Sequence, residues 1–336
     1  MLEKPRLQDQ DIITCLRAGY GLPVAGVEFL PIGNDATAWV YRVWCEDRRS
    51  YFLKIKRAAV EEASLLIPRH LKDSGIKQVV APLAATNGKL WLPLDSFALI
   101  LYPFIEGGDG MTRGMSDDQW IEYGAIFKAI HGVQLPPDLA QQTRREDFKP
   151  YWGPAVRRLQ AEIETTRYTD PHEQALATFW RARRDEIARL VERADELGRR
   201  LQQRPLPPVL CHADAHTANL LVDGEDRLFV VDWDQPLLAP KERDLMFVVP
   251  GEVSDRKRAL FFQGYGAVEV DQEALAYYRY EWVVQELGDF GERVFWADDV
   301  GEETKADAVR SLMAMFQPGD VVEIAYATDP QLNAAG

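Results

Sequence analysis

The residues of this chain with the clearest capacity for chemistry lie between Val209 and Asp234. A short apolar run, Val209–Cys211, leads into His212-Ala213-Asp214-Ala215-His216-Thr217-Ala218-Asn219. Leu220–Val222 and Leu228–Val231 then read as two strands around Asp223-Gly224, a hairpin-turn signal. Closing that hairpin returns Asp232, the first residue of Asp232-Trp233-Asp234, to the side of Asp214 and Asn219. Two carboxylates and an amide converging at strand ends can hold a divalent cation next to a base, and such oxygen ligands suit Mg2+. That set is equipment for phosphoryl transfer. Two other readings use fewer of these residues. His212, Asp214 and His216 at alternating strand positions would face one way and suit a transition metal. Asn219 and Asp232-Trp233-Asp234 would then have no task. A loop whose polar groups only cap backbone leaves the same residues unexplained.

The order His-x-Asp-x-x-x-x-Asn, strand pair, Asp-Trp-Asp resembles the catalytic and metal loops of protein-kinase-like phosphotransferases that act on small molecules. Protein kinases have Arg where this chain has Ala213 and Phe-Gly where it has Trp233-Asp234, so the resemblance is to the aminoglycoside phosphotransferase and choline kinase branch. It implies an α+β, bilobal protein-kinase-like fold. The N-terminal nucleotide-binding lobe, an antiparallel sheet plus a helix, would span residues 1–105, with a hinge at 102–110. A mainly helical C-terminal lobe over 106–336 would carry the catalytic loop, metal loop and substrate site. The resemblance also implies that Asp214 takes the proton of an acceptor hydroxyl, that Asn219 and Asp232 hold Mg2+ on the phosphates of ATP, and that His212 braces the loop without doing chemistry.

Further blocks, Tyr102–Ile105, Phe229–Pro236, Leu238–Phe247 and Val322–Ala325, look like those of spectinomycin phosphotransferases within that family. The implied acceptor is a hydroxyl of an aminocyclitol or aminoglycoside antibiotic, with resistance as the outcome. Choline and homoserine kinases share the frame and supply the alternative acceptor class. Trp233, Tyr278 and Trp282 are the residues from which a cage for choline would be built. A pseudokinase that uses the fold only for binding is a third reading, against which the intact acidic set argues.

The elements that must position this set begin with a helix over Asp9–Gly19 and strands over Val27–Leu30, Ala38–Trp44 and Ser50–Lys56. The polar turn Gly33–Thr37 has the layout of a phosphate-covering loop, with Gly33 and Asp35 as nucleotide contacts, although its single glycine would fit any hairpin. The strand Tyr51–Lys56 places a lysine among apolar residues, which is costly unless it is paired or holds a phosphate. Lys54 and Lys56 share a strand face, so alternation does not choose between them. The family resemblance favours Lys54 and leaves Lys56 at a solvated strand end. Ala58–Lys72 has helical composition, with Pro68 expected to kink it or begin a new helix. Here the resemblance assigns Glu62 the task of orienting Lys54, with Glu61 in solvent. A strand around Gln78–Pro82, a hairpin through Asn87-Gly88 and the apolar strand Phe97–Ile105 follow. Glu106-Gly107-Gly108-Asp109-Gly110 then breaks the chain, and the resemblance makes it the hinge, with Phe104 and Ile105 at the adenine edge.

Beyond the glycines the pattern turns helical. Ser116 and Gln119 form a capping box ahead of a Trp120, Tyr123, Phe127, Ile130 stripe, and a long amphipathic helix covers Ala175–Gln203. The resemblance gives Asp244 the support of the catalytic loop. Asp234, Glu281, Glu286 and Asp289 are expected to receive the amines of a cationic substrate. The charge balance agrees with such a ligand: 53 acidic against 39 Lys and Arg residues give a formal charge of -14, which repels nucleic acid and anionic membranes. The three cysteines, Cys15, Cys45 and Cys211, are odd in number and widely spaced, as reduced thiols of a cytoplasmic protein would be. No stretch approaches the ~18 apolar residues of a membrane span, and a cytoplasmic monomer is expected.

Overall fold

The computed structural model describes residues 2–32, 35, 37–57, 60–204, 206–249, 252–298 and 300–329. Two compact units are formed. The first runs through Arg144 and takes in Leu210–Leu237 and Leu260–Gly266; the second comprises Arg145–Val209, Leu238–Ala259 and the chain from Ala267 onward. The segment Leu210–Leu237 therefore belongs with the N-terminal sheet.

That sheet has five strands, β1 (Val24–Leu30), β2 (Ala38–Cys45), β3 (Ser50–Lys56), β4 (Leu92–Leu94) and β5 (Phe97–Pro103), in the antiparallel order β1-β2-β3-β5-β4. Alternation sends Trp39, Tyr41 and Val43 of β2, Leu53 and Ile55 of β3, and Leu99 and Leu101 of β5 into one core with Ile12 and Leu16 of the helix Asp9–Tyr20. Each such side chain contributes about 1.5–3 kcal/mol by leaving water. Lys54 lies between Leu53 and Ile55 on the other face of this inner strand, opposite Val40 and Ile100.

The helix after β3 runs from Glu62 to Asp73 as one element with Pro68 inside it, where the buried residues Leu65, Ile67 and Leu71 offset the one hydrogen bond a proline cannot donate. Gln78–Pro82 is not a strand; Val79 makes a single parallel bridge to Val230. The chain does turn at Asn87-Gly88, where Gly88 takes φ 80° and its amide donates to the Ala85 carbonyl at 2.9 Å, and a second turn at Asp95, φ 52°, joins β4 to β5.

The glycine run is not a break. Gly107–Asp109 forms β6 and pairs antiparallel with the first strand of the Leu220–Val230 hairpin, Gly107 opposite Asp223 and Asp109 opposite Leu221. A Cβ at Gly107 would lie 2.0 Å from the Val222 carbonyl oxygen, so only glycine allows this approach. The hairpin pairs Leu220–Asp223 with Leu228–Val230, and its loop is longer than the two residues expected. Asp223 ends a strand and holds that loop with its carboxylate, which accepts from the Glu225 and Arg227 amides at 2.9 and 3.0 Å.

The helix Asp117–His131 begins with the expected capping box, Ser116 and Gln119 each bonding the other's amide. It crosses the end of the helix Asp255–Tyr265 glycine against backbone. A Cβ at Gly124 would stand 1.9 Å from the Phe261 carbonyl oxygen, and one at Gly264 would stand 1.8 Å from that of Ile121. One residue before Gly124, the Tyr123 hydroxyl donates to the Ala215 carbonyl of the His212–Asn219 loop. Gly124→Ala is therefore expected to destabilise the protein by about 2–3 kcal/mol through overpacking. Equilibrium denaturation in urea checks this as a lowered midpoint at unchanged slope.

The second unit is helical around Gln272–Phe295, which packs against Gly153–Thr165, Pro171–Leu201, Glu302–Ala314 and Val321–Thr328. Asp271 caps it by accepting from the Ala274 amide at 2.9 Å. Among the described residues no helix is long and apolar enough to cross a membrane.

Candidate active site

The site is assembled on two left-handed residues. Ala213 has φ 75° and Asp232 has φ 63°, a region that side-chain-bearing residues enter only at a cost. His212 joins them. Its Nδ1 lies 3.3 Å from the Asp214 amide, which donates to it, and its Nε2 lies 2.9 Å from the Val231 carbonyl and donates in turn. That pattern specifies the tautomer protonated on Nε2. The ring is buried and meets the Trp233 indole edge-on at 4.5 Å. His212 thereby connects the loop of Asp214 to the strand end of Asp232.

Asn219 closes the same loop. Its Nδ2 donates to the Asp214 carboxylate at 2.9 Å and to the Asp214 carbonyl at 2.8 Å, while its own carbonyl accepts from the Val231 amide at 3.0 Å. His216 Nε2 stands 3.3 Å from the same carboxylate oxygen, Asp214 Oδ2, that Asn219 binds. Asp214 is half exposed, at 49%, so a hydroxyl arriving from solvent can reach it. With its amide nitrogen committed to Asp214, Asn219 presents Oδ1 as its ligand atom, and Asp232 supplies a half-exposed carboxylate. An amide oxygen with a carboxylate is a donor set that fits a hard divalent cation.

Lys54 reaches this strand end from β3. Its Nζ is 2.8 Å from Asp232 Oδ1 and 2.7 Å from Asp234 Oδ2. Lys56 also binds Asp234 Oδ2, at 3.0 Å, and stands 3.6 Å from Asp35. Burial alone would raise the Asp234 pKa, but the two ammonium charges hold it down to about 2. Burial would likewise lower that of Lys54, and the carboxylates of Asp232 and Asp234 push it well above the usual lysine value. Asp35 is held low by Lys56 and by hydrogen bonds from Thr37, against its own burial.

Several anticipated site residues have other surroundings. Gly33 lies outside the described residues. Glu62 does not orient Lys54: it is exposed in the first turn of its helix, where a negative charge favours the helix dipole, and the lysine's carboxylate partners come from Asp232 and Asp234. Lys56, expected in solvent, is an ion-pair partner of the site; its shared strand face with Lys54 is the signal for it. Phe104 and Ile105 follow the end of β5 half-buried, with the Arg42 guanidinium 4.4 Å over the Phe104 ring.

The remaining predicted residues fall in the second unit. Asp244 is buried in the one-turn helix Glu242–Leu245. Glu281 does not stand open to a substrate amine, because Arg243 binds it at 2.7 Å and both side chains are nearly buried. Asp289 is likewise engaged by Arg293, and Glu286 accepts from the Trp282 indole at 3.2 Å. Helical spacing placed these carboxylates on one segment, but it does not reveal which have cations of their own.

A loop carrying Asp214, an amide and a carboxylate as oxygen donors, and a lysine of an antiparallel sheet held between carboxylates make up the kind of site a kinase-like phosphotransferase has. The chain belongs to the phosphotransferase enzyme family, whose sequence pattern matches residues 28–280. It is similar in structure to spectinomycin phosphotransferase APH(9)-Ia in complex with ADP and spectinomycin, with a TM-score of 0.86 and 34% identity over 96% of this chain and 99% of the other. The AMP complex of the same enzyme gives a TM-score of 0.82 at 33% identity over 96% and 99% of the two chains. Protein StrN of Streptomyces griseus is 28% identical over 227 residues, 65% of this chain and 68% of that one.

Proposed function

We propose that this protein transfers the γ-phosphoryl group of ATP, with Mg2+, to a hydroxyl of an aminocyclitol antibiotic of the spectinomycin type, and so protects a cell from it. The observation that carries this reading is the similarity to spectinomycin phosphotransferase along nearly the whole of both chains. In the reading, Asp214 accepts the acceptor's hydroxyl proton as the oxygen attacks phosphorus, and Asn219 and His216 hold its carboxylate in place. Lys54 offers an N–H to the phosphates. Asn219 and Asp232 would hold Mg2+, which neutralises phosphate charge and orients the transferred group.

Two of the three residues named for a choline cage argue against that alternative. Trp233 is packed on His212, and Tyr278 is fully buried in the core of its own unit, so neither presents a ring face for a quaternary ammonium. ATP turnover in a coupled assay is expected with spectinomycin and not with choline or homoserine, and cells expressing the protein should survive raised spectinomycin. Turnover limited to choline or homoserine, without protection, would remove the acceptor assignment and leave the phosphoryl-transfer chemistry.

A further inference from the structure

The geometry points to Asp234 as the positioning residue for the phosphate-binding lysine, in place of a helix glutamate. This inference rests on the phosphotransferase reading above. Lys54 is about nine-tenths buried, and a buried ammonium is costly unless its charge is paired, including before any phosphate arrives. It has two, Asp232 at 2.8 Å and Asp234 at 2.7 Å. If Asp232 turns to a metal, Asp234 is the carboxylate left on Lys54 among the described residues, since Glu62 is exposed in the first turn of its helix. An ammonium has three donors, so Asp234 can keep one while a phosphate oxygen takes another.

Asp234 is also suited to hold more than this one lysine. Strand alternation puts Lys54 and Lys56 on one face of β3, and the same oxygen, Asp234 Oδ2, receives both. Lys56 in turn stands 3.6 Å from Asp35, next to the turn that leads into β2. One carboxylate therefore links the end of the metal strand, the inner strand of the sheet and the turn expected to cover the phosphates. Asp234 is thereby committed to protein cations, and the amines of an acceptor must find another partner.

A double-mutant cycle tests this with the full-length protein. Binding of MgADP is measured by calorimetry for wild type, Asp234→Asn, Lys54→Met and the double variant, and steady-state kinetics are run with ATP and spectinomycin. Each single change is expected to weaken MgADP about 10-fold, as for loss of a charged hydrogen bond. The double variant should be no weaker than Lys54→Met within about 2-fold, because Asp234 acts through the lysine. Asp234→Asn should lower kcat and leave the KM for spectinomycin unchanged, and Asp234→Glu should recover part of the loss. Circular dichroism melts establish that each variant is folded. Penalties that multiply in the double variant, or a raised acceptor KM at unchanged nucleotide affinity, would overturn the inference. Wild-type MgADP binding without turnover of any acceptor would remove the acceptor assignment alone, with the binding cycle still decisive; absence of MgADP binding by the wild type would overturn both.

Discussion

Asp214→Ala is expected to lower kcat by about 10³–10⁴-fold, the upper range for a general base, while MgADP affinity stays within about 3-fold of wild type. The separation follows from where the carboxylate sits. Asp214 bonds to Asn219 and His216, and its side chain is not among the partners of Lys54. Its removal therefore leaves the lysine and its anchors intact. Single-turnover measurements with saturating MgATP and spectinomycin isolate the chemical step from binding. Near-normal turnover by the variant would exclude Asp214 as the base.

Asp232→Ala should fail differently, losing turnover and nucleotide affinity together. Partners that merely orient a metal ligand contribute about 10–100-fold to metal affinity, so removal of a ligand itself should cost at least about 100-fold in MgADP binding. The protein should still fold, because Lys54 retains Asp234 at 2.7 Å. Titration of ADP with and without Mg2+ is the decisive measurement. The wild type is expected to bind more tightly with the metal, and the variant to show no difference. A variant that kept the full metal dependence would shift the metal site away from Asp232.

These expectations depend on features that differ in how openly the sequence displays them. β3 is anticipated over Ser50–Lys56 and found there, because Leu53 and Ile55 alternate with polar residues on a two-residue period. The Ser116–Gln119 capping box is equally local and equally plain. Gly107–Asp109 is different. Its composition is that of a linker, and it becomes a strand only because the backbone around Val222, distant in sequence, comes close enough to pair with it. The same holds for the partners of Lys54. A buried strand lysine announces that it needs a carboxylate, but choosing between Glu62 and Asp234 requires knowing which chain segment meets β3 in space. The carboxylates of the helix Gln272–Phe295 show the limit most clearly. Glu281 and Asp289 read alike in the sequence as open acids, and the cations that engage them, Arg243 and Arg293, come from a separate segment and from the next helical turn.

The glycine strand also constrains how this chain can exchange parts with its relatives. A recombination crossover is usually placed where composition suggests a linker, and residues 106–110 would invite one. A chimera joined there would set the glycine edge of one parent against the Leu221–Asp223 edge of the other, with no side chain at Gly107 to absorb a mismatch. The N-terminal fragment would at the same time carry Lys54 and Lys56 to carboxylates of foreign spacing. The unit of inheritance is thus the sheet together with the Leu220–Val230 hairpin, although Arg145–Val209 of the other unit separate them along the chain.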